Sequence, residues 1–536
     1  MTLTQKRVLT ILLLLSAAYF VVFYFPNAAA SRDVKMVLAF EPDEAVPLGY
    51  VKDMIEPADT VKQALINFAF YDYYFYGYPH FAYSALTLLP LRFAGQLENI
   101  PLVMVTLRQM VSLLPLLLSI LLLVYLQTQV RSYQAVVLFL FLVSIPAVVR
   151  NNFWWHPDGL AILLAMVAIF FLQRDNLRFG RNFFLAAAMV GFSAGTKGIG
   201  FYFVLTIFVY LLWGLLGKRI TLGRAALAAI GFIAVMALAY LVANPILIFP
   251  GVRRRYFAVM QNQSQWLMTG YEIFYEKGPA ALFRQSQKYF GHWVFLLAML
   301  ATCVWGILRD RSRRLLFTII LTWSVPITVM LMTLIHFKFQ YWLPVMLPLF
   351  SCAAMLLPER LGKLRLPSGG RAWAESGLRL ALGMIALGQF VAFVRQDVGW
   401  YGAQLNRERT DRSIVFFDRA MEVLEALPPG DYYVYHDVRM YVPPLPNWRT
   451  ESLFEVLNYP YIEGYGFDIL LIMQQRVADY LNTSAVGIDP ESFALGQEFY
   501  RDVRAGTVRG YQLVYQDHFG LAFVREDVWK TAGNGE

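Results

Sequence analysis

The feature that most constrains this chain is a series of apolar runs, each long enough to cross or nearly cross a bilayer. They fall at 8–25, 101–128, 134–149, 158–172, 183–196, 199–216, 225–249, 289–308, 315–335, 341–357 and 376–394. No water reaches the hydrocarbon core, so a segment there must satisfy its own backbone hydrogen bonds, and each run is expected to be a helix. This predicts a polytopic α-helical membrane protein of about 11 transmembrane helices. A hydrophobic fraction of 58% against 15% charged is too apolar for a soluble chain of 536 residues. The first run follows Lys6 and Arg7, and small residues at 27–31 would suit signal cleavage. Its length, its aromatic end and the many runs behind it favour a retained first helix. Cys303 and Cys352 lie in apolar runs and read as small packing residues.

Charge orients the runs. One alternate set of connections carries Lys6/Arg7, Arg131, Arg174/Arg178/Arg181, Lys218/Arg219/Arg224, Arg309/Arg311/Arg313/Arg314 and Arg360/Lys363/Arg365/Arg371. By the positive-inside rule these face the cytoplasm, and the loops between them face outward. The parity places the N-terminus inside and the C-terminus outside. Residues 1–396 hold 34 Lys+Arg against 16 Asp+Glu, whereas residues 397–536 hold 12 against 21. The basic balance therefore belongs to the membrane part, which argues against nucleic acid as a partner. The acidic tail, 396–536, reads as a soluble extracytoplasmic α/β domain. Its short strand-like runs, such as Tyr432-Tyr-Val-Tyr435, Phe467–Met473 and Tyr511–Tyr515, alternate with helical stretches.

Candidate chemistry gathers in the outward loops. The first of them, 26–100, holds nine of the 16 acids of the membrane part, among them the adjacent pair Asp43–Glu44. Asp43 is read as a general base at the membrane surface. The same loop carries the aromatic run Phe68–Tyr83, with His80 and Tyr83 near its end. Rings at that density suit the interface, either as an anchor or as a platform for a sugar or lipid. In Asn151-Asn-Phe-Trp-Trp-His-Pro-Asp158, Asp158 either caps the following helix or lines a pocket with His156, orienting an acceptor or pairing with a cation. Outward basic groups run against the orienting bias: Arg253, Arg254 and Arg255 in the loop 250–288, then His336 and Lys338. Lys197, in Ala194-Gly-Thr-Lys-Gly, sits at a turn whose glycines allow close backbone approach, although the spacing is not that of a P-loop. Acids on one loop and cations on several others make a plausible base and phosphate clamp.

In order along residues 1–395, Asp43-Glu44, Tyr78-Pro-His-Phe-Ala-Tyr83, Ala194-Gly-Thr-Lys-Gly and His336-Phe-Lys-Phe-Gln-Tyr-Trp-Leu-Pro344 resemble the GT-C class of integral-membrane glycosyltransferases. The chain looks most like the branch of protein O-mannosyltransferases and lipid A aminoarabinose transferases. The resemblance implies a transmembrane catalytic domain over 1–395. It also implies a polyprenyl-phosphate sugar as donor and a glycan, lipid or protein hydroxyl as acceptor, in contact with membrane lipids. By it, Asp43 deprotonates the acceptor, Glu44 orients the acceptor or shapes Asp43, and the anomeric carbon is inverted. Lys197, Arg254, Arg255, His336, Lys338 and Tyr341 would hold the donor phosphate; His80, Tyr83, His156 and Asp158 are read from their positions, outside the resemblance, as acceptor or pocket residues. It implies no cofactor and no required metal, and a bacterial inner-membrane location with the active site outside. Two positions depart from the branch: Gln340 stands where relatives carry Arg, and His80 where they carry a second proline. A transporter or flippase of a lipid-linked sugar is the alternative. Such proteins tend to show internal repeats and mid-membrane charges, whereas nearly all charges here sit at span ends and no repeat is visible.

Overall fold

The computed structural model describes residues 2–29, 31–357, 370–452 and 457–533, with backbone alone for 370–374 and 531–533. Arg360, Lys363 and Arg365 of the expected cytoplasmic set lie outside the described residues. The chain divides into two compact units. One comprises Met1–Asn27, Tyr50–Gln263 and Glu276–Tyr401; the other comprises Ala28–Gly49, Ser264–Tyr275 and Gly402–Glu536.

The first unit is a helical bundle, and each apolar run read from the sequence carries helix. Among the described residues six helices are long and apolar enough to cross a membrane: Leu3–Ala29, Ile100–Thr128, Ile199–Leu216, Leu222–Ala243, Arg314–Thr333 and Glu375–Leu405. Pro279–Phe290 and Trp293–Arg309, bent by 85°, make a seventh if they form one span. The break between them falls at Gly291, whose φ of 85° is open to glycine at little cost. The other expected spans are shorter or carry charge at their ends. The run 134–149 stops at Val143 because Ile145, preceding Pro146, is extended, and a new helix opens at Pro146. The longest spans show exposed apolar side chains such as Leu14, Val21, Ile230 and Leu387.

The bundle core is built by close approach. Asp158–Asp175 lies along Arg181–Lys197, which lies along Leu222–Ala243. A Cβ on Gly191 would come within 2.3 Å of the Met236 carbonyl, so the last two helices meet nearly backbone to backbone. At one end of this layer the Asp175 carboxylate accepts from the backbone N–H groups of Arg178, Phe179 and Gly180 at 2.9–3.0 Å and from the Tyr210 hydroxyl at 2.8 Å. That buried carboxylate holds a turn in which Asn176, Leu177 and Phe179 all have positive φ. The turn belongs to the basic set Arg174/Arg178/Arg181. Asp158 opens the same helix, 18 residues long, and so lies at its other end, roughly 27 Å away at 1.5 Å per residue.

The second unit is built on a five-stranded sheet. Its strands are β1 (Tyr432–His436), β2 (Trp448–Glu451), β3 (Ile469–Met473), β4 (Tyr511–Gln516) and β5 (Gly520–Arg525). Their order is β2-β1-β3-β5-β4, with β1 parallel to both neighbours and β5 antiparallel to both of its own. Alternate residues feed two cores. Tyr435, Leu470, Ile472, Leu521 and Phe523 point to one, while Val434, Ile469, Leu471, Ala522 and Val524 point to the other. Burial on both faces explains why Ile469–Ile472 and Leu521–Val524 are continuously apolar rather than alternating. Two stretches from before residue 396 belong to this unit. Met36, Ala39 and Phe40 cluster with Ile414 and Tyr441, and Glu272 pairs with Arg476 at 3.0 Å while accepting from the Tyr480 hydroxyl.

Candidate functional site

Three separated segments of the first unit converge on one buried charge cluster. The first is the end of the helix Arg181–Lys197. Gly198, at φ 71°, stops it, donating its N–H to the Ala194 carbonyl at 2.7 Å. Gly195 leaves room for Asn244, whose side-chain amide donates to the Gly195 carbonyl and accepts from the Tyr78 N–H, both at 3.3 Å. The Gly77 N–H donates to the Thr196 carbonyl at 3.0 Å, and a Cβ on Gly77 would lie 1.6 Å from the Gly195 oxygen. The aromatic segment 70–78 therefore lies directly on the helix end that presents Lys197.

The second segment is Asn151–Asp158. Its anchor is Ser112, in the π-helical turn Arg108–Leu113 that interrupts the helix Ile100–Thr128. The Ser112 hydroxyl accepts from the His156 N–H at 2.9 Å and donates to the His156 carbonyl at 3.2 Å. A Cβ on Gly159 would come within 2.4 Å of the Ser112 carbonyl, so only glycine lets the two helices meet here. Trp155 donates to Ser84, and Ser84 donates to the His80 carbonyl.

At the convergence Asp158 Oδ1 accepts from Lys197 Nζ at 2.6 Å, and Asp158 Oδ2 contacts His156 Nδ1. Asp158 is wholly buried, and the Lys197 side chain is 6% exposed. A carboxylate can accept from both neighbours, which assigns the His156 proton to Nδ1. Lys197 Nζ is also 3.3 Å from His156 Nδ1, so one carboxylate holds two donors side by side. Aromatic rings wall the cluster. Trp154 stacks on His156 with centroids 4.3 Å apart, Tyr76 meets it edge-on at 4.8 Å, and Lys197 Nζ lies 4.9 Å from the Tyr341 ring centre. The third segment supplies Tyr341, in the first turn of the helix Phe339–Ser351.

Asp158 is thus the first residue of its helix, not the cap. Pro157 occupies the cap position with no side-chain cap bond, and the carboxylate faces His156 and Lys197 instead. An ammonium ion is the stronger partner in a buried setting than a backbone N–H. His80 is buried, stacks on Trp155 at 5.1 Å and meets Tyr76 edge-on at 5.7 Å. Neither of its ring nitrogens has a hydrogen-bond partner among the described residues. The Tyr83 hydroxyl donates to the Met110 carbonyl at 2.9 Å, inside the π-helical turn. His336 is buried and forms an isolated backbone bridge with Lys277, and Lys338 stands at the N-cap of the Tyr341 helix. Arg254 and Arg255 are exposed on the helix Pro250–Thr269, where Arg255 pairs with Asp72 at 3.1 Å.

Asp43 and Glu44 belong to the second unit, in the first turn of the helix Pro42–Met54. Asp43 is exposed and Glu44 fully buried. Beside them, buried Glu41 lies 3.7 Å from Arg407, whose guanidinium sits 4.3 Å from the Phe40 ring centre. Sequence reading missed Ser112, Gly77, Asn244 and Glu41. Of these, Ser112 and Asn244 carried a signal, each as a polar residue inside an apolar run. Among the described residues no three His, Cys, Asp or Glu side chains gather as a metal site would.

No family model matches the chain, and no curated protein sequence does. Solved structures do resemble it. ArnT from Cupriavidus metallidurans is similar at 14% identity, with a TM-score of 0.48 when bound to undecaprenyl phosphate and 0.49 in the apo state. The match covers 95–96% of this chain and 97–98% of that one. The archaeal oligosaccharyltransferase AglB from Archaeoglobus fulgidus, in complex with an inhibitory peptide and a dolichol-phosphate, is similar at 12% identity and a TM-score of 0.45. That match covers 87% of this chain and 69% of AglB. Likeness at this level is silent on chemistry, which must come from the residues.

Proposed function

We propose that this chain is an inverting glycosyltransferase that moves a sugar from a polyprenyl-phosphate donor to a hydroxyl acceptor at the outer face of a bacterial inner membrane. The observation that carries the reading is the buried Lys197–Asp158–His156 cluster within a bundle of apolar helices. Buried charge in such a setting is costly unless paired, and it marks a functional site by default. The cluster sits at the end of its helix opposite the basic turn 174–181, which by the positive-inside rule is the outward end. A lipid-linked phosphate is reached at such a level. An ammonium ion oriented by a carboxylate and an imidazole suits a leaving phosphate, and the rings of Tyr76, Trp154 and Tyr341 suit a sugar.

In this reading Asp43 takes the acceptor O–H proton as the oxygen attacks the anomeric carbon. The bond from that carbon to the phosphate oxygen breaks, and the polyprenyl phosphate leaves as an anion. Lys197 stabilises that anion, with Asp158 and His156 fixing the ammonium position. Glu44 orients Asp43 or the acceptor. His336, Lys338, Arg254 and Arg255 support the donor phosphate or neighbouring lipid headgroups. Incubating the purified chain with radiolabelled polyprenyl-phosphate sugars and a membrane lipid extract tests this. Label should pass to an acceptor in wild type. Movement of intact donor between leaflets without bond cleavage would favour a transporter instead.

A further inference from the structure

The second unit holds a polar pocket that the transferase reading does not use. It lies at the carboxyl ends of the parallel strands β1 and β2, has a volume of about 200 Å³, and is lined by His436, Thr450, Glu451 and Ser452. The helix Val34–Phe40 closes one wall with Lys35, Leu38 and Ala39, and Val438 and Val442 complete an aliphatic side. From β1 the chain passes to β2 on one side and then to β3 on the other, so the strand order reverses at β1. In open α/β sheets ligands bind outside the carboxyl ends of the strands; the switch point itself lies between β1 and β3, and this pocket lies on the β2 side of β1.

The lining chemistry narrows the ligand. Lys35 Nζ donates to the Thr450 hydroxyl at 3.0 Å, which ties the helix to the strand end. Glu451 places a carboxylate in the same lining, so the pocket has one formal cation and one formal anion and does not select for an anion. Burial pushes His436 down to about 4, with Lys35 contributing, which keeps the imidazole neutral. The lining sets hydroxyls, a carboxylate and an ammonium beside the aliphatic Leu38, Ala39, Val438 and Val442. That division matches a sugar ring, which has a polar edge and an apolar face. The volume lies below the roughly 300–1,000 Å³ of drug-sized clefts and suits a single ring.

We infer that this pocket binds one neutral monosaccharide unit, held by Thr450, Glu451 and Lys35 against the aliphatic wall. That the unit belongs to an acceptor glycan rests on the transferase reading; the binding itself does not. The test is saturation-transfer NMR on the full chain in detergent with the methyl glycosides of glucose, mannose, galactose and N-acetylglucosamine, and separate titration with inorganic phosphate. At least one glycoside should bind and phosphate should not compete. Thr450→Val and Glu451→Gln should each weaken binding about tenfold, as expected for a lost hydrogen bond to the sugar. Glu451→Gln keeps the side-chain shape and decides the matter if Thr450→Val lowers the unfolding temperature. No glycoside binding, binding unchanged in Glu451→Gln, or displacement by phosphate would overturn the inference. Glycoside binding in a chain that transfers no sugar would leave the pocket standing and remove the transferase reading.

Discussion

Lys197 and Asp158 form an ion pair at 2.6 Å, the carboxylate wholly buried and the lysine side chain nearly so, joining the end of one helix to the start of the helix before it. Breaking a buried pair from one side typically costs about 3–5 kcal/mol, because the remaining charge is left uncompensated. Asp158→Asn should therefore lower stability strongly. Replacing both partners, as Asp158→Leu with Lys197→Met, should recover much of that loss, yet leave transfer abolished. Thermal unfolding in detergent beside a transfer assay separates the two effects. Equal destabilisation in the single and double variants would contradict the coupling.

Gly77 is a positional requirement of the site. A methyl group there meets the Gly195 carbonyl at 1.6 Å, and backbone atoms cannot step aside as a flexible side chain would. Gly77→Ala should displace Tyr76 and Lys197 together. A misplacement of about 1 Å can cost about 100-fold in rate, so transfer should fall by at least that order while the protein still inserts. Undiminished turnover would show that the aromatic segment does not position the cluster.

Asp175 serves structure at the opposite end of the helix. Its carboxylate satisfies three backbone N–H groups and one hydroxyl in a turn of positive φ. Asp175→Ala removes the acceptor of the part-buried Phe179 and Gly180 N–H groups, at about 1–3 kcal/mol for each one left unsatisfied, while the Arg178 N–H keeps the Asp175 carbonyl and the Tyr210 hydroxyl keeps the Leu172 carbonyl. The unfolding temperature should fall clearly, while the surviving folded fraction keeps wild-type turnover. A loss of specific activity per folded molecule would contradict a purely structural role.

His436 makes stability depend on pH. Burial depresses its folded value from 6.5 to about 4, so the unfolded chain binds the proton first as pH falls. The stabilisation from a neutral His436 is complete above about pH 6.5 and is lost progressively down to pH 4, amounting to at most about 3 kcal/mol. Glu272 and Asp437, both raised by burial, act with the opposite sign, since each takes up a proton more readily when folded. The informative quantity is the difference between wild type and His436→Asn. Wild type should lose more stability than the variant between pH 6.5 and 4, and parallel curves would contradict the assignment.

The membrane architecture was legible because apolarity over about 20 residues has few other meanings. The places where spans break were not legible, since they depend on an extended Ile145 before Pro146 and on the backbone of Gly291. At the site, His156, Asp158 and Lys197 were each visible as candidates, but their union was not. Lys197 lies 39 residues from Asp158, and their meeting depends on Gly77, Gly159 and Gly195 removing side chains where backbones touch. Asp158 preceding an apolar run had the pattern of a cap, and only the arrival of an ammonium ion from another helix changed its role. The second unit was read as a C-terminal segment alone. The residues 28–49 and 264–275 join it through contacts such as Phe40 with Tyr441, and short range in sequence gives no sign of these.

The proposed reaction breaks the bond between a sugar and a polyprenyl phosphate, with Asp43 as base and Lys197 at the leaving phosphate. The most direct test is transfer from a radiolabelled polyprenyl-phosphate sugar by wild type, Asp43→Asn and Lys197→Met in parallel, with donor binding measured on each. Wild type should transfer the label to an acceptor. In Asp43→Asn transfer should fall by about 100-fold or more with donor binding intact, the scale of a lost general base. Lys197→Met should lose both. Wild-type rates in Asp43→Asn would contradict the base, and donor binding without bond cleavage by any form, with acceptor present, would contradict the reaction itself.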